Sequence, residues 1–344
     1  MTTQTTTQSP RLTISVIMPA YRASHLLAQV LTPLLAMRDA GEVDEVLVVD
    51  DQSPDDTAAV ARAMGATVLV TPQNGGPGVA RNLASKQAIG DILWFVDSDV
   101  IAQPGGPAHI RRAFSEPGVD AVFGSYDDDP GGKYWFSRYK NLLHRYHHQA
   151  ARREARTFWA GCGAVRATAF AAVGGFDVET YRKPSIEDIE LGYRISNAGG
   201  RILVEPDLLG KHLKVWTIRN ALHTDIFCRA LPWSRLIITR EGLTDDLNTG
   251  KAERVRALIA GALLVSILAM LVFPSLWSLT LGLAALAVLC NLKLARFFYN
   301  NGGLGFAAGS LLYHQVYYVY SASIFAWCLF EAHILGKKDR LHVR

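Results

Sequence analysis

The chain has 344 residues, is 49% hydrophobic, carries a formal net charge of +4 and contains four cysteines. Its length allows a sizeable core in one large or two moderate domains, and so modest a charge, with no basic run interleaved with aromatics, excludes a nucleic-acid groove. Cys162, Cys228, Cys290 and Cys328 form no CxxC pair, which excludes a zinc or disulfide framework and fits a reducing compartment.

Residues 1–10, rich in Thr and Gln, lack the basic region and apolar core of a signal peptide and read as a disordered tail. The folded portion beyond them is expected to stay on the side of the membrane where it is made. Residues 12–18 form an apolar, β-rich run ended by Pro19, with a helix over 23–38. Further strands lie at 45–49, 67–70 and 92–96, separated by a helix through Met64 and another over 79–88 after a glycine-rich turn. This alternation predicts a doubly wound α/β domain with a mostly parallel, Rossmann-like sheet. Residues 120–125 and 201–205 add strands, and 134–156 reads as one helix. On that helix His144, His147 and His148 are interleaved with Tyr139, Arg145 and Tyr146, so packing or an interface is the reading rather than zinc. Arg152, Arg153 and Arg156 suit anionic lipid headgroups.

Polar residues dominate up to Asp246, and the remainder is membrane-like. Residues 221–250 read as an interfacial amphipathic region, with Phe227, Leu231, Trp233, Leu236 and Ile237 among Arg229, Arg235 and Arg240. Two uncharged runs, 257–273 and 276–292, flank Pro274-Ser275, each near the lower limit of about 17 residues for a bilayer-crossing helix. They predict a transmembrane hairpin over 257–292. Lys251, Arg254 and Arg256 before it, with Lys293 and Arg296 after it, place both ends in the cytoplasm. The apolar segment 304–334 carries His314, Gln315 and the tyrosines Tyr313, Tyr317, Tyr318 and Tyr320. Its length favours a further crossing, whereas a re-entrant path would keep the basic tail 337–344 inside. The expected plan is a catalytic domain over 11–220, the interfacial region over 221–250 and a transmembrane region over 251–336.

The chemistry gathers at strand ends. Asp97-Ser98-Asp99 closes the apolar run 92–96, at the carboxyl end of a strand that reads as covered on both faces, where ligands of open α/β sheets collect. Two carboxylates one residue apart can share a divalent cation and with it neutralise a diphosphate, an Asx-rich turn being the bland alternative. Pro19-Ala20-Tyr21, Asp50-Asp51 and Asn74-Gly75-Gly76-Pro77-Gly78 succeed the other early strands toward the same end. Acids gathered at strand ends cost stability through repulsion, so they point to a site for a base, a ribose and a metal diphosphate. Asp51 or Asp50 can accept a hydrogen bond from a base N–H. Arg81 can reach a phosphate or the base, or pair with one of the aspartates. Neither GxGxxG nor GxxxxGK[ST] occurs, which leaves nicotinamide and P-loop chemistry unsupported. Phe158-Trp159-Ala160-Gly161-Cys162-Gly163-Ala164 can form a sugar-lining loop, core packing being equally open for Trp159. Glu187-Asp188 falls in the first turn of a predicted helix, where the helix dipole favours carboxylates in any case. His212 can offer a nitrogen to a metal or satisfy a buried polar contact.

These motifs, with Gly174-Gly175-Phe176-Asp177, stand in the order found in the family 2 glycosyltransferases with the GT-A fold, which the chain resembles over about residues 12–215. The resemblance implies inverting transfer from a UDP- or GDP-linked sugar, with Mg²⁺ or Mn²⁺ held by Asp99 and Asp97 and His212 completing the metal or diphosphate contacts. It further implies a donor site drawn from Pro19, Tyr21, Asp50, Asp51, Arg81, Asp97 and Trp159. Glu187 and Asp188 become the catalytic pair, Asp188 as base. The Gln-x-x-Arg-Trp signature of processive synthases is missing, and Pro232-Trp233-Ser234-Arg235 does not replace it, so single addition is expected. The expected enzyme is a multi-pass protein of the inner (cytoplasmic) membrane with its catalytic domain in the cytoplasm. Its acceptor is lipid-borne, a polyprenyl phosphate or a glycolipid precursor, and homo-oligomerisation stays open. A processive or oligomeric polysaccharide synthase and a noncatalytic GT-A membrane scaffold are the alternatives.

Overall fold

The computed structural model describes residues 11–243, 245 and 247–336; the expected tails, 1–10 and 337–344, lie outside the described residues. The early apolar runs form β1 (Ile14–Ala20), β2 (Glu45–Asp50), β3 (Thr67–Val70) and β4 (Ile92–Val96). They are joined by α1 (Ser24–Asp39), α2 (Thr57–Ala63) and α3 (Pro77–Ser85) and pair in parallel in the order β3-β2-β1-β4. Every residue of β1 and β4 is buried, as continuous apolar strands require when both faces are covered. One face packs on Leu27, Leu31 and Leu34 of α1, the other on Phe170, Phe176 and Leu191.

β1 runs through Pro19 rather than ending before it. The Ala20 carbonyl accepts the Asp51 N–H on the β2 side. Pro19 therefore turns its missing donor toward β4, where pairing has already ended at Ile17 and Phe95, and no ladder bond is lost.

The second half of the sheet is mixed. The expected loop 158–164 leads into β8 (Cys162–Arg166), a buried strand inserted antiparallel between β4 and β6 (Val119–Tyr126). Its glycines conceal it from a propensity reading, yet a Cβ on Gly163 would lie 2.2 Å from the Trp159 carbonyl oxygen. β9 (Arg201–His212) runs parallel to β6 and is much longer than the expected 201–205, and β5 (Val100–Ala102) closes the edge antiparallel to it. The helix expected over 134–156 stops as α5 (Trp135–Gln149), and Glu154–Ala155 forms β7 against β9. The arginines of this stretch pair with acids: Arg152 with Asp245, Arg153 with Glu116 and Glu205, Arg156 with Glu241.

Beyond β9, α8 (Ile218–His223) passes into a π-helical turn at Thr224–Ala230, α9 (Leu231–Leu236) and a second π-helical turn at Ile237–Glu241. Then come α10 (Lys251–Met270), α11 (Trp277–Cys290) and α12 (Leu292–His333), the last broken at Gly303 (φ 75°). Among the described residues no single helix is long and apolar enough to cross a membrane. The segment Pro274–Cys290 and α12, bent by 68°, qualify together by length and composition. Lys251, Glu253, Arg254 and Arg256 occupy the start of α10, and the Arg256 Nε–H donates to the Cys290 carbonyl at 2.9 Å, so the first run of the expected hairpin begins in a polar, tied-down turn. The helices still expose Leu258, Leu271, Val272, Leu304 and Leu312, each at least 70% accessible.

α7 (Glu187–Asn197) is pressed onto the chain just before β8: a Cβ on its Gly192 would stand 2.3 Å from the Phe158 backbone nitrogen. Gly192→Ala should therefore destabilise the domain by about 1–3 kcal/mol through overpacking. A thermal unfolding midpoint equal to that of the wild type would contradict this packing.

Candidate active site

Chain ends from β4, β8, β9 and α7 meet at one place. The Asp97 N–H donates to the Gly161 carbonyl (3.1 Å), the Val100 N–H to the Asp97 carbonyl (3.0 Å) and the Leu213 N–H to the Asp99 carbonyl (2.8 Å). The Asp97-Ser98-Asp99 turn is thus pinned by the entry to β8 and the exit of β9, with both carboxylates about a third exposed. On α7, Glu187 accepts the Ser185 N–H at 2.7 Å, and Asp188 Oδ2 accepts the Ala160 N–H at 3.1 Å. Asp188 therefore bonds a backbone group on the lead into β8 as well as its own helix start, which capping alone would not require.

Arg81 joins these pieces. It lies in α3 just past the glycine turn, is 4% exposed and places its guanidinium 5.3 Å above the Phe176 ring. One Nη is 2.6 Å from Asp97 Oδ1 and the other 3.7 Å from Glu187 Oε1. The ion pair left open by the sequence is thus formed with Asp97, outside the Asp50-Asp51 pair, and the Arg81 Nε has no partner among the described residues.

The donor-side candidates divide. Asp51 is buried, and its carboxylate accepts from the Thr71 hydroxyl (2.8 Å) and the Gly75 (3.0 and 3.2 Å) and Gly76 (2.7 Å) N–H groups. Those three donors tie the Asp51 carboxylate to the glycine loop, which it shapes. Among the described residues Asp50 accepts only the Ser53 N–H, at 3.2 Å. Tyr21 is 46% exposed beneath the Arg22 guanidinium, and Arg22 and Gln52 hold positive φ values of 54° and 59°. Strained non-glycine residues at consecutive strand ends are a recurring mark of binding loops. Trp159 does not line an open loop. It packs at 4.8–5.0 Å against Tyr126, His144 and His148, and His148 in turn donates from Nδ1 to the Gly124 carbonyl at 2.8 Å. The histidines of α5 are therefore packing residues.

His212 shows how a cation would be received. Asn141 donates its amide to the Lys214 carbonyl at 3.3 Å, turning its oxygen toward His212, whose Nδ1–H donates to it at 2.5 Å. Tyr126 stacks on the imidazole at 4.2 Å and 7°. With Nδ1 engaged by Asn141, His212 turns its Nε2 toward Asp99 Oδ2, 3.5 Å away. Two acceptors face to face need a proton or a metal between them, so imidazole plus carboxylate fits a divalent cation. A second group of possible ligands, His109, Glu205 and Asp207, draws two members from β9 upstream of His212, and its Glu205 is already paired with Arg112 and Arg153. Asn141 and Tyr126 carried no sequence signal, because a supporting amide or ring has no fixed spacing from the ligand it holds.

Burial pushes the Asp97 carboxyl above the ordinary range, Arg81 opposes this, and the charges of Asp99 and Asp188 add to it. Burial and the Asp188 charge raise Glu187 to about 7. Burial likewise raises Asp188, against the Ala160 N–H and Arg81. At Asp99 burial acts upward, but the charge and hydrogen bond of His212, with Lys214, outweigh it and hold the group low.

A mixed α/β sheet of this topology, with acids gathered at its strand ends, matches the GT-A fold. Residues 15–174 match the family model "Glycosyl transferase family 2". A pre-mycofactocin glycosyltransferase of Mycobacterium tuberculosis is 29% identical over 226 residues, 61% of this chain and 46% of that protein. Glucosyl-3-phosphoglycerate synthase of Mycolicibacterium paratuberculosis is 40% identical over 98 residues, 26% of this chain and 29% of that protein. The chain spans less than half the length of these curated relatives. The solved mannosyltransferase PcManGT from Pyrobaculum calidifontis, in complex with GDP-Man and Mn²⁺, aligns over 96% of this chain and 86% of its own at 18% identity and a TM-score of 0.46.

Between pH 4.5 and 7 the folded chain keeps a proton on Glu187 that the unfolded chain has released, so this group costs stability as pH rises across that window. Glu187→Gln should therefore gain stability relative to wild type from pH 5 to pH 8, by up to about 3 kcal/mol. Thermal unfolding of both proteins without divalent cations measures it, and a pH-independent difference would refute the assignment.

Proposed function

We propose that the chain transfers a sugar, with inversion, from a UDP- or GDP-linked donor to a lipid-borne acceptor at the inner (cytoplasmic) membrane, with its catalytic domain in the cytoplasm. The observation that carries this reading is the single acidic cluster in which Asp97, Asp99, Glu187 and Asp188 outnumber their one buried cation, Arg81. So much like charge is held together best by a cation and an electrophile placed among the acids.

Asp99, His212 and Asp97 would hold Mg²⁺ or Mn²⁺, which when bound supplies positive charge to the leaving diphosphate. The loops after β1 and β2, with Asp50 and Tyr21, suit the nucleoside. Arg81 holds Asp97 in place while restraining Glu187. Asp188, raised by burial and fixed by the Ala160 N–H, is placed to take a proton from an acceptor hydroxyl as that oxygen attacks the anomeric carbon from the side opposite the diphosphate. One base facing one leaving group gives inversion.

The acceptor reading rests on the exposed leucine and valine surface of α10 to α12 and on its firm attachment to the catalytic domain. The Lys140 Nζ is 2.7 Å from both Asp225 oxygens, Asp225 also accepts the Tyr320 hydroxyl at 2.7 Å, and Tyr139 bonds His314 at 2.9 Å. An acceptor soluble in the bilayer can then reach the site without leaving it.

Asp188→Asn should lower transfer by about a hundredfold or more while leaving nucleotide affinity within about twofold. Near-normal turnover of this variant with any donor used by the wild type would sink the base assignment. Asp99→Ala should abolish the Mn²⁺-dependent part of nucleotide binding in calorimetry with and without the metal, and retention of that part would exclude Asp99 as a ligand.

A further inference from the structure

Residues 136–149 of α5 are all buried or half-buried, and the side chains of this helix divide by spacing into two working faces. Tyr134, at its N-cap, Ser137, Asn141, Arg145 and His148 recur at intervals of three and four residues and so share one face. All five bond backbone on one side or the other of His212. Tyr134 donates its hydroxyl to the Trp216 carbonyl, the Ser137 hydroxyl accepts the Trp216 N–H (3.0 Å) and Asn141 donates to the Lys214 carbonyl (3.3 Å), which holds the chain just after β9. Arg145 donates to the Tyr126 carbonyl (2.6 Å) and His148 to the Gly124 carbonyl (2.8 Å), which holds the end of β6, whose Tyr126 ring stacks on His212.

Phe136, Tyr139, Lys140 and Leu143 lie on the opposite face, toward the C-terminal helices. There Phe136 meets the Tyr313 ring at 5.0 Å, Tyr139 bonds His314, and the Lys140 ammonium stands 2.7 Å from both oxygens of Asp225 on the π-helical turn. Asp225 also accepts the Tyr320 hydroxyl of α12. The Lys140 and Asp225 side chains are 7% and 5% exposed, so this ion pair is enclosed. The ammonium is wedged between the Trp216 ring, 5.7 Å away, and the Tyr317 ring of α12, 5.8 Å away. Such a pair is a poor source of stability, because apolar residues of similar volume often replace it at little cost. Its contribution is direction. Two charge-assisted bonds to one carboxylate fix the ammonium, and the next residue along the helix is Asn141, whose oxygen engages His212 Nδ1 at 2.5 Å.

We propose that Lys140 and Asp225 are positioning residues for the cation site: their ion pair sets the turn of α5 that carries Asn141, and so keeps His212 facing Asp99 while Tyr320 of α12 holds Asp225. The inference rests on the reading of Asp99 and His212 as cation ligands given above. It makes cation binding, and with it the grip on a donor diphosphate, depend on how the C-terminal helices are seated. Both residues act through Asn141.

The test titrates Mn²⁺ into the full chain in detergent micelles, with UDP and with GDP present, and follows the free ion by electron paramagnetic resonance. The unfolding midpoint of each variant reads stability separately. Lys140→Met combined with Asp225→Asn leaves no uncompensated charge and should weaken Mn²⁺ binding by about fivefold or more. Asn141→Leu should weaken it by about tenfold, and adding it to the paired replacement should give a loss within about twofold of Asn141→Leu alone, since the pair acts through Asn141. Tyr320→Phe, which spares the ion pair and removes one bond to Asp225, should cost about threefold. Tyr139→Phe removes a buried hydrogen bond between α5 and α12 outside this route and should leave Mn²⁺ binding within about twofold. Unchanged Mn²⁺ affinity in either the paired replacement or Tyr320→Phe overturns the proposal. So does a loss that follows the fall in unfolding midpoint through every variant, Tyr139→Phe included, which would reduce the pair to a structural role. A wild type whose Mn²⁺ binding survives Asp99→Ala, or that binds none, sinks the cation-site reading and this inference with it. Binding that is lost in Asp99→Ala yet kept in the paired replacement overturns the positioning role alone.

Discussion

The buried guanidinium of Arg81 is the contact on which the rest of the site depends. It reaches Asp97 at 2.6 Å and Glu187 at 3.7 Å, so a single side chain spans the turn after β4 and the first turn of α7. Removing one partner of a buried pair leaves the other charge uncompensated, at a cost of roughly 3–5 kcal/mol when both are fully enclosed. Asp97 is about a third exposed, so the cost here is smaller, but the geometry of both carboxylates rests on the same cation. With Asp99 and Asp188 close by, one guanidinium leaves net negative charge at the centre. Burial is the main cause of the upward displacement of Glu187 and Asp188, and at Glu187 the Asp188 charge adds to it.

Arg81 reaches this position because the chain ahead of it is held from behind. Asp51 spends its carboxylate on Thr71, Gly75 and Gly76, fixing the loop from which α3 starts. Gly76 adopts φ 84° at the helix cap, a conformation that a side chain would strain. The acid that the resemblance assigns to base recognition thus contributes by placing an arginine. Similar indirect support operates at His212, whose orientation comes from Asn141 and Tyr126.

α5 carries both that support and the attachment to the C-terminal helices. Asn141 turns inward to His212, while its neighbours Tyr139 and Lys140 bond His314 on α12 and Asp225 on the π-helical turn. Displacement of α12 by a lipid surface would therefore act on a helix that also holds a candidate metal ligand. The tyrosines of the apolar segment 304–334 are partly used inside: Tyr320 bonds Asp225, and Tyr318 bonds Glu253 at 2.6 Å.

By itself the sequence determined the parallel half of the sheet, because a strand covered on both faces must be continuously apolar and must end where polar loops resume. Residues 92–96 are delimited by that rule alone, the exposed edge strand 67–70 by its β-branched composition, and Asp97, Asp99, Glu187 and Asp188 are legible from their places at element ends. Tertiary structure decided whatever depends on who the neighbour is. β8 is a strand because β4 and β6 approach backbone that glycines leave bare, whereas its composition reads as a loop. Trp159 packs inward, Asp51 serves the glycine loop, and Arg81 takes Asp97 as its partner, although each residue type allowed the other outcome. Apolar periodicity is a local property and can be read along the chain; the choice among hydrogen-bond and charge partners is made across it, where only folding brings the candidates within reach.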